Sequence, residues 1–177
     1  MRQTKTQPEE NMDELDAIQT SLASFTQRLD EVASNQFSEM RKCSFFDPIP
    51  SDVLQSIAQL TTVKTFKPGE KITSEGDEIS AFFVIMFGKA SVHVHQQEVA
   101  VIHSGECIGE AAFFATEAAS RCATVIAEGE VIAAVMRKSD IRALNGEHLT
   151  YMDKALMNAL FRKLQHANRK IEDLLLR

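Results

Sequence analysis

One short stretch of the sequence combines residue types that can hold an anion and a sugar. Gly109 and Glu110 open an alanine-rich apolar segment that is predicted to form one or two helical turns, and Arg121 follows it. A helix N-terminus leaves backbone N–H groups unpaired, and glycine lets backbone approach a ligand closely. Arginine can hold a phosphate by two parallel hydrogen bonds, and a carboxylate can accept one from a sugar hydroxyl. These residues indicate a small ligand with one phosphate and one ribose.

Short β-strands are predicted on both sides of this stretch. Runs of β-branched and aromatic residues between Val63 and Met136 are separated by turns, most of which contain glycine. Turns at this spacing are typical of an all-β sandwich or barrel. The predicted strands are 63–66, 71–73, 82–87, 90–95, 99–103, 122–127 and 131–136.

Helical patterns flank the strands. Near the N-terminus, apolar residues recur at alternating steps of three and four, which predicts either an amphipathic helix packed on its own domain or a short coiled coil that forms a dimer. A helix is also predicted at 51–60, with Ser51 or Asp52 as its cap. A long apolar stripe from Leu149 to Leu174 predicts C-terminal helices. The N-terminal pattern consists of Leu15, Ile18, Leu22, Phe25, Leu29 and Val32.

The sequence GEAAFF…SRCATVIA, at 109–127, resembles the phosphate-binding cassette of cyclic-nucleotide-binding domains. Such domains occur in kinase regulatory subunits, gated channels and CRP/FNR-type bacterial regulators. The resemblance runs from about Phe45 to about Leu164. The chain departs from the family pattern at Ser120, where the family usually has proline. Its segment between Glu110 and Arg121 is also about two residues longer than the commonest form.

The resemblance implies an α+β fold, an eight-stranded β-roll or jelly-roll barrel with flanking helices. Residues 1–42 would form the N-terminal helix, and residues 43–137 would form the β-roll with its cassette at 107–127. Residues 138–177 would form C-terminal helices that close over the ligand or serve dimerisation.

The resemblance also implies a role for each cassette residue. Arg121 would pair with an exocyclic phosphate oxygen, and Glu110 would accept a hydrogen bond from the ribose 2′-hydroxyl. Gly109 would leave room for the ligand, and Ala111 and Ala112 would keep the pocket small. The backbone N–H groups of Ala112 and Cys122 would share the phosphate. The candidate ligand-binding residues are Gly109, Glu110, Ala111, Ala112, Arg121, Cys122 and Ala123.

The residue after the arginine bears on which nucleotide binds. A threonine at the position of Cys122 resembles a mark of cGMP preference in relatives, and a thiol is a weaker hydrogen-bond donor than a hydroxyl. This favours cAMP over cGMP, although Cys122 could equally be just a small buried residue. Tyr151 and Phe161 are the candidates to cover the base, and no cofactor beyond the nucleotide is expected.

Composition argues against several classes of function. The net charge of −6 disfavours nonspecific binding to nucleic acid or to anionic membranes. The N-terminus is not typical of a signal peptide, no apolar run is long enough to span a membrane, and the three cysteines lack metal-ligand spacing. We therefore expect a cytoplasmic protein with reduced thiols.

The basic residues of the C-terminal helix are expected to form a solvated face. No helix-turn-helix follows that helix, so we expect no specific DNA binding, and a homodimer or a helix-mediated protein partner instead. The basic residues are Arg162, Lys163, His166, Arg169 and Lys170.

A His-X-His pair raises the alternative of a metal site. His93 and His95 nearly match a metal motif of cupins, but Val92 and Val94 alternate with them, and the valines should face the core. We therefore expect no metal site, and no catalytic set is apparent. Three hypotheses remain: a stand-alone cyclic-nucleotide sensor that is not an enzyme, a degenerate β-roll that acts as an oligomerising scaffold, and a cupin-type metal enzyme.

Overall fold

The computed structural model describes residue 19 and residues 35–114 and 120–176. The N-terminal heptad pattern lies outside these residues, so the helix predicted there stays a prediction. Residues 35–41 form a helical segment, from which Phe37 and Met40 pack into the core.

The centre of the fold is a roll of two antiparallel four-stranded sheets. The strand order is β1-β8-β3-β6 in one sheet and β2-β7-β4-β5 in the other. The predicted eight-stranded β-roll is therefore confirmed, although the two-residue strand β6 was not predicted, and β7 begins at Thr124 rather than at Cys122. The strands are β1 Thr61–Phe66, β2 Lys71–Thr73, β3 Ala81–Phe87, β4 Lys89–Val94, β5 Gln97–His103, β6 Cys107–Ile108, β7 Thr124–Ala127 and β8 Val131–Arg137.

The sheet that contains β3 and β8 is buried on both faces. Ile85 and Ala133 face the interior of the roll, where they pack with Ile108 and Val125. On the opposite face, Ala134 and its neighbours pack against the helices. A sheet covered on both faces needs apolar residues at successive positions. This explains why β8 is an apolar run with no polar alternation.

The helices cover the outer face of that sheet. Helix α1 directly follows Pro50 and has no side-chain cap, so the prediction that Ser51 or Asp52 caps it is wrong; Ser51 is already the first helical residue. The side chain of Asn145 caps the last helix by accepting a hydrogen bond from the His148 N–H at 2.9 Å. Besides the segment at 35–41, the helices in the described ranges are α1 Ser51–Gln59, α2 Ala111–Phe114, α3 Lys138–Arg142 and α4 Gly146–Leu175, and a 3-10 turn spans Ser44–Phe46.

Helix α4 has two apolar faces along its 30 residues. One face is buried at Met152, Leu156 and Ala159, where the helix packs against the β-roll and the other helices. The second face, which we call the α4 stripe, is exposed to solvent. No helix in the described ranges is long and apolar enough to cross a membrane. The α4 stripe consists of Met157, Phe161, Leu164, Ile171 and Leu175.

Candidate functional site

Gly109 lies between strand β6 and the single-turn helix α2. Its φ angle is +85°, in the left-handed region that side chains disfavour. A Cβ atom built on Gly109 would collide with Nη1 of Arg121. Glycine is therefore favoured here both by the backbone conformation and by the close approach of the guanidinium.

Arg121 is a buried cation that is only partly hydrogen-bonded. Its side chain lies over the ring of Phe83, with Cζ 5.4 Å from the ring centroid, and Nη2 donates to the carbonyl oxygen of Ala81 at 2.6 Å. Nη1 is buried and has no hydrogen-bond partner among the described residues. An unpaired buried N–H group of a charged side chain is costly. The arrangement therefore favours an anionic ligand that would accept from Nη1.

Burial also changes the electrostatics of Arg121. Removal from water lowers the pKa of its guanidinium, and the charge of Asp77, and to a lesser extent that of Glu110, opposes this shift. Arginine remains protonated in proteins even so. The site therefore keeps a desolvated positive charge, which attracts an anion more strongly than an exposed charge would.

The turn between β2 and β3 holds the backbone of Arg121 in place. The Arg121 N–H donates to the Asp77 carbonyl oxygen at 2.8 Å, and the Gly76 N–H donates to the Arg121 carbonyl oxygen at the same distance. Ser120, which stands where the family usually has proline, forms an isolated β-bridge with Glu78. These backbone bonds position the arginine without a preceding proline.

Glu110 is buried, with 5% of its surface exposed, and forms an ion pair with helix α4. Lys163 Nζ lies 2.7 Å from Glu110 Oε1, and it also donates to the carbonyl oxygen of Cys107 at 2.6 Å. The prediction that the basic residues of this helix form a solvated face is wrong for Lys163, and Lys170 also donates to the Val99 carbonyl oxygen, at 3.3 Å. The two lysines are one heptad apart, which places them on the same helix face.

The other predicted site residues directly follow Glu110 or Arg121 in the sequence. Ala111 and Ala112 are the first residues of α2, Cys122 is exposed and Ala123 is half-buried. Cys122 is therefore not the small buried residue that we considered as an alternative. The structure thus brings Gly109 and the Arg121 guanidinium into direct contact, with Glu110 near enough for its charge to act on the arginine.

The remaining candidates are the two aromatic residues proposed to cover the base and the two histidines of the His-X-His pair. Tyr151 is half-buried against the helix–sheet core, and Phe161 is 59% exposed. His93 Nε2 lies 2.9 Å from Ser91 Oγ, whereas His95 Nε2 lies 3.3 Å from Glu75 Oε1, so the two imidazoles face different partners. Within the described ranges, no group of three or more histidine, cysteine or acidic residues could hold a metal ion.

The family model of the cyclic nucleotide-binding domain matches residues 63–148. These residues belong to the cyclic nucleotide-binding domain family. The match includes every predicted cassette residue, and it ends before Lys163. The ion pair between Lys163 and Glu110 therefore joins the matched domain to a helix that continues beyond it.

Individual comparisons agree with this family. A cGMP-dependent protein kinase of Plasmodium berghei (strain Anka) is 31% identical over 110 residues, which are 60% of this chain and 13% of that protein. The chain thus spans a small part of the relatives it matches. The structure of cAMP-bound PfPKA-R (141-441) has a TM-score of 0.65 at 17% identity and covers 83% of this chain and 49% of that one. The regulatory domain of Toxoplasma gondii PKA with cAMP has a TM-score of 0.59 at 21% identity, with coverages of 73% and 51%. The two structures support the fold.

We predict that Gly109→Ala costs more stability than Gly69→Ala. Both glycines have positive φ angles, +85° and +80°, but a Cβ at Gly69 meets nothing within 4 Å. Gly69→Ala should cost about 1–2 kcal/mol from backbone strain alone. Gly109→Ala should cost about 1 kcal/mol more, because Arg121 must move and would lose its hydrogen bond with Ala81. Urea unfolding measures both values.

The control for this prediction is the same pair of substitutions in an Arg121→Ala background. Without the guanidinium, the collision disappears and the two glycine variants should lose similar stability. An excess cost of Gly109→Ala that persists in this background would contradict the contact.

Proposed function

We propose that this chain is a cyclic-nucleotide sensor in which Arg121 binds the ligand's phosphate. The observation that carries the proposal is the buried guanidinium, whose Nη1 has no partner among the described residues and lies against Gly109. A phosphate oxygen would satisfy this donor by a charge-assisted hydrogen bond. The family match supports a nucleotide as the source of that phosphate. Backbone N–H groups of Ala112 and Cys122 would share it.

Glu110 is the proposed acceptor for the ribose 2′-hydroxyl, and Lys163 connects it to helix α4. A carboxylate has several acceptor positions, so it can hold the lysine and a hydroxyl together. The bond that Lys163 makes to the Cys107 carbonyl oxygen ties the same helix to the start of the cassette. Ligand binding at Glu110 would thereby reach α4 directly. We infer that residues 43–137 bind the nucleotide and that residues 138–177 relay its presence.

We propose cAMP as the preferred nucleotide over cGMP. Cys122 is exposed next to Arg121 and offers a thiol where a hydroxyl would be the stronger donor to a guanine. The cGMP-dependent kinases among the relatives support the opposite order, so the preference depends on this local chemistry. The family is one of binding domains, and we accordingly propose a regulatory, non-enzymatic role, in the cytoplasm.

The α4 stripe supports a homodimer as the route by which the signal leaves the domain. Its residues recur at heptad spacing, and Asn168 occupies the intervening core position between Leu164 and Ile171. In two-stranded coiled coils, a single asparagine at such a position fixes the register. The same stripe favours the second candidate function, in which the roll binds nothing and serves as an oligomerising scaffold.

We predict that Arg121→Ala lowers the affinity for cAMP by about ten- to a hundredfold. The variant would lose the hydrogen bond from Nη1 to the phosphate, and a hydrogen bond to a charged group contributes about 1.5–3 kcal/mol. Titration calorimetry with cAMP and then cGMP measures the loss and ranks the two nucleotides. Arg137→Ala is the control, because Arg137 is exposed and pairs with Asp140.

Equal affinity of Arg121→Ala and the unchanged protein would reject the phosphate role of Arg121. Absence of heat with either nucleotide, from a folded protein, would favour the scaffold instead.

We predict that Lys163→Met weakens the discrimination between cAMP and 2′-deoxy-cAMP. Loss of the 2′-hydroxyl should cost the unchanged protein about tenfold or more in affinity, since the hydroxyl donates to a carboxylate. Without Lys163, Glu110 loses the cation that orients it, and this ratio should shrink. Competition binding with the two nucleotides gives the ratio. Lys170→Met, one heptad further along, should leave it unchanged, and an unaltered ratio in Lys163→Met would be the contrary result.

We predict that the protein is a dimer and that Leu164→Glu makes it monomeric. A carboxylate in the centre of an apolar helix pair would lose its hydration without a partner. Light scattering on a sizing column measures the mass. His166→Glu adds the same charge outside the α4 stripe and should stay dimeric. If the unchanged protein is monomeric, both the homodimer and the oligomerising scaffold are rejected.

A further inference from the structure

Arg142 contacts the cassette from outside the nucleotide site. It is the last residue of helix α3, and its Nη2 donates to the carbonyl oxygen of Phe113 at 2.7 Å. Its Cζ also lies 5.0 Å from the centre of the Phe113 ring. One side chain thus holds both the backbone and the ring of the same cassette residue.

The helix that Arg142 contacts is too short to hold its own position. Helix α2 has four residues, and a single turn of helix is unstable without external contacts. Its described anchors are the Phe113 ring, packed edge-on against Phe82 at 5.8 Å, and the bond from Arg142. Phe82 fixes the side chain within the core, whereas only Arg142 holds the Phe113 carbonyl in the described structure. The orientation of the α2 backbone therefore depends on Arg142.

Arg142 stands where the β-roll passes into the C-terminal helices. Helix α3 is fixed to the roll by its buried Ile141 and by the Lys138 N–H, which donates to the Ser80 carbonyl oxygen at 2.9 Å. Three residues after Arg142, Asn145 caps α4. A movement of α2 would therefore act on the segment that leads into α4.

We propose that Arg142 is a positioning residue that fixes the far end of the cassette helix to the start of the C-terminal helices. Lys163 holds the near side, at Cys107 and Glu110, so the two cations hold the described segment 107–114 from both sides. The inference rests on the proposed nucleotide binding and extends it. These two contacts would order residues 107–114 before the ligand arrives and would pass a movement of this segment to α4.

The test compares Arg142→Gln with Arg137→Gln. Both remove an arginine near helix α3, but Arg137 pairs with Asp140 and has no described contact with the cassette. Two quantities are measured: amide hydrogen exchange of residues 107–114 in the free protein, and affinity for cAMP and for 2′-deoxy-cAMP. Arg142→Lys is added, because lysine can still donate to the Phe113 carbonyl but cannot stack as a planar group.

We expect Arg142→Gln to speed amide hydrogen exchange at residues 107–114. It should also lower the affinity for both nucleotides by the same factor, about five- to twentyfold. An equal factor follows because Arg142 orders the whole cassette and does not act on the sugar. The exchange rates and affinities of Arg142→Lys should lie between those of Arg142→Gln and those of the unchanged protein. Arg137→Gln should match the unchanged protein in both measurements.

Each contrary outcome identifies what has failed. Exchange and affinity in Arg142→Gln that equal those in Arg137→Gln would overturn the inference, as would faster exchange with unchanged affinity. If the unchanged protein binds neither nucleotide, the proposed function fails. The exchange measurement then decides separately whether Arg142 holds the cassette, and unchanged exchange would overturn that too.

Discussion

The structure of the site depends on one buried and incompletely paired charge. Arg121 is 8% exposed, and its guanidinium has exchanged water for one carbonyl, one aromatic face and the backbone of a glycine. Such a group is unfavourable unless something else stabilises it. Its backbone is fixed by the turn at Gly76 and Asp77, and its guanidinium is held by the Ala81 carbonyl and the Phe83 ring. If an anion binds Arg121 as proposed, the site is ordered in advance, because the protein has already removed the arginine from water.

The cassette is held mainly by residues far from it in sequence. Lys163 lies 53 positions from Glu110, and Arg142 lies 29 positions from Phe113. Both come from the helices that follow the roll. Because the same helices hold the cassette and extend away from it, a change at the nucleotide site cannot leave them unaffected. If the cassette binds a nucleotide as proposed, Lys163 and Arg142 would couple the ligand to the position of these helices through direct contacts with the cassette.

Sequence reasoning succeeded where the pattern is local. Gly109 and Arg121 were assigned to one site because they lie close together in the sequence, and the structure places them in contact. The strands were predicted because apolar runs and turn residues alternate over short distances. Strand β6 was missed because its two residues, Cys107 and Ile108, carry no periodic pattern.

The predictions that were wrong, the solvated basic face of α4 and the side-chain cap of α1, concern features that depend on contacts within the folded protein. The basic residues of α4 were expected in solvent because a lysine is usually exposed, and nothing near Lys163 in the sequence indicates that Glu110 will be its partner. The only sequence cue is the heptad that separates Lys163 from Lys170. Helix α1 begins without a side-chain cap because Pro50 directly precedes it, and the burial of Leu54 and Ile57 stabilises it from within the core.

Helix α4 carries residues that pack on the core, a lysine that contacts the cassette and the exposed α4 stripe. At Ala155 and Ala159, small side chains let it pack closely against the core, and at Lys163 it reaches the carboxylate proposed to bind the sugar. The α4 stripe faces away from those contacts. A straight helix cannot move one face and leave the other in place. Any shift that a nucleotide causes at Glu110 would therefore reposition the α4 stripe, and a partner bound to that stripe would in turn change the affinity of the site, because such coupling is reciprocal.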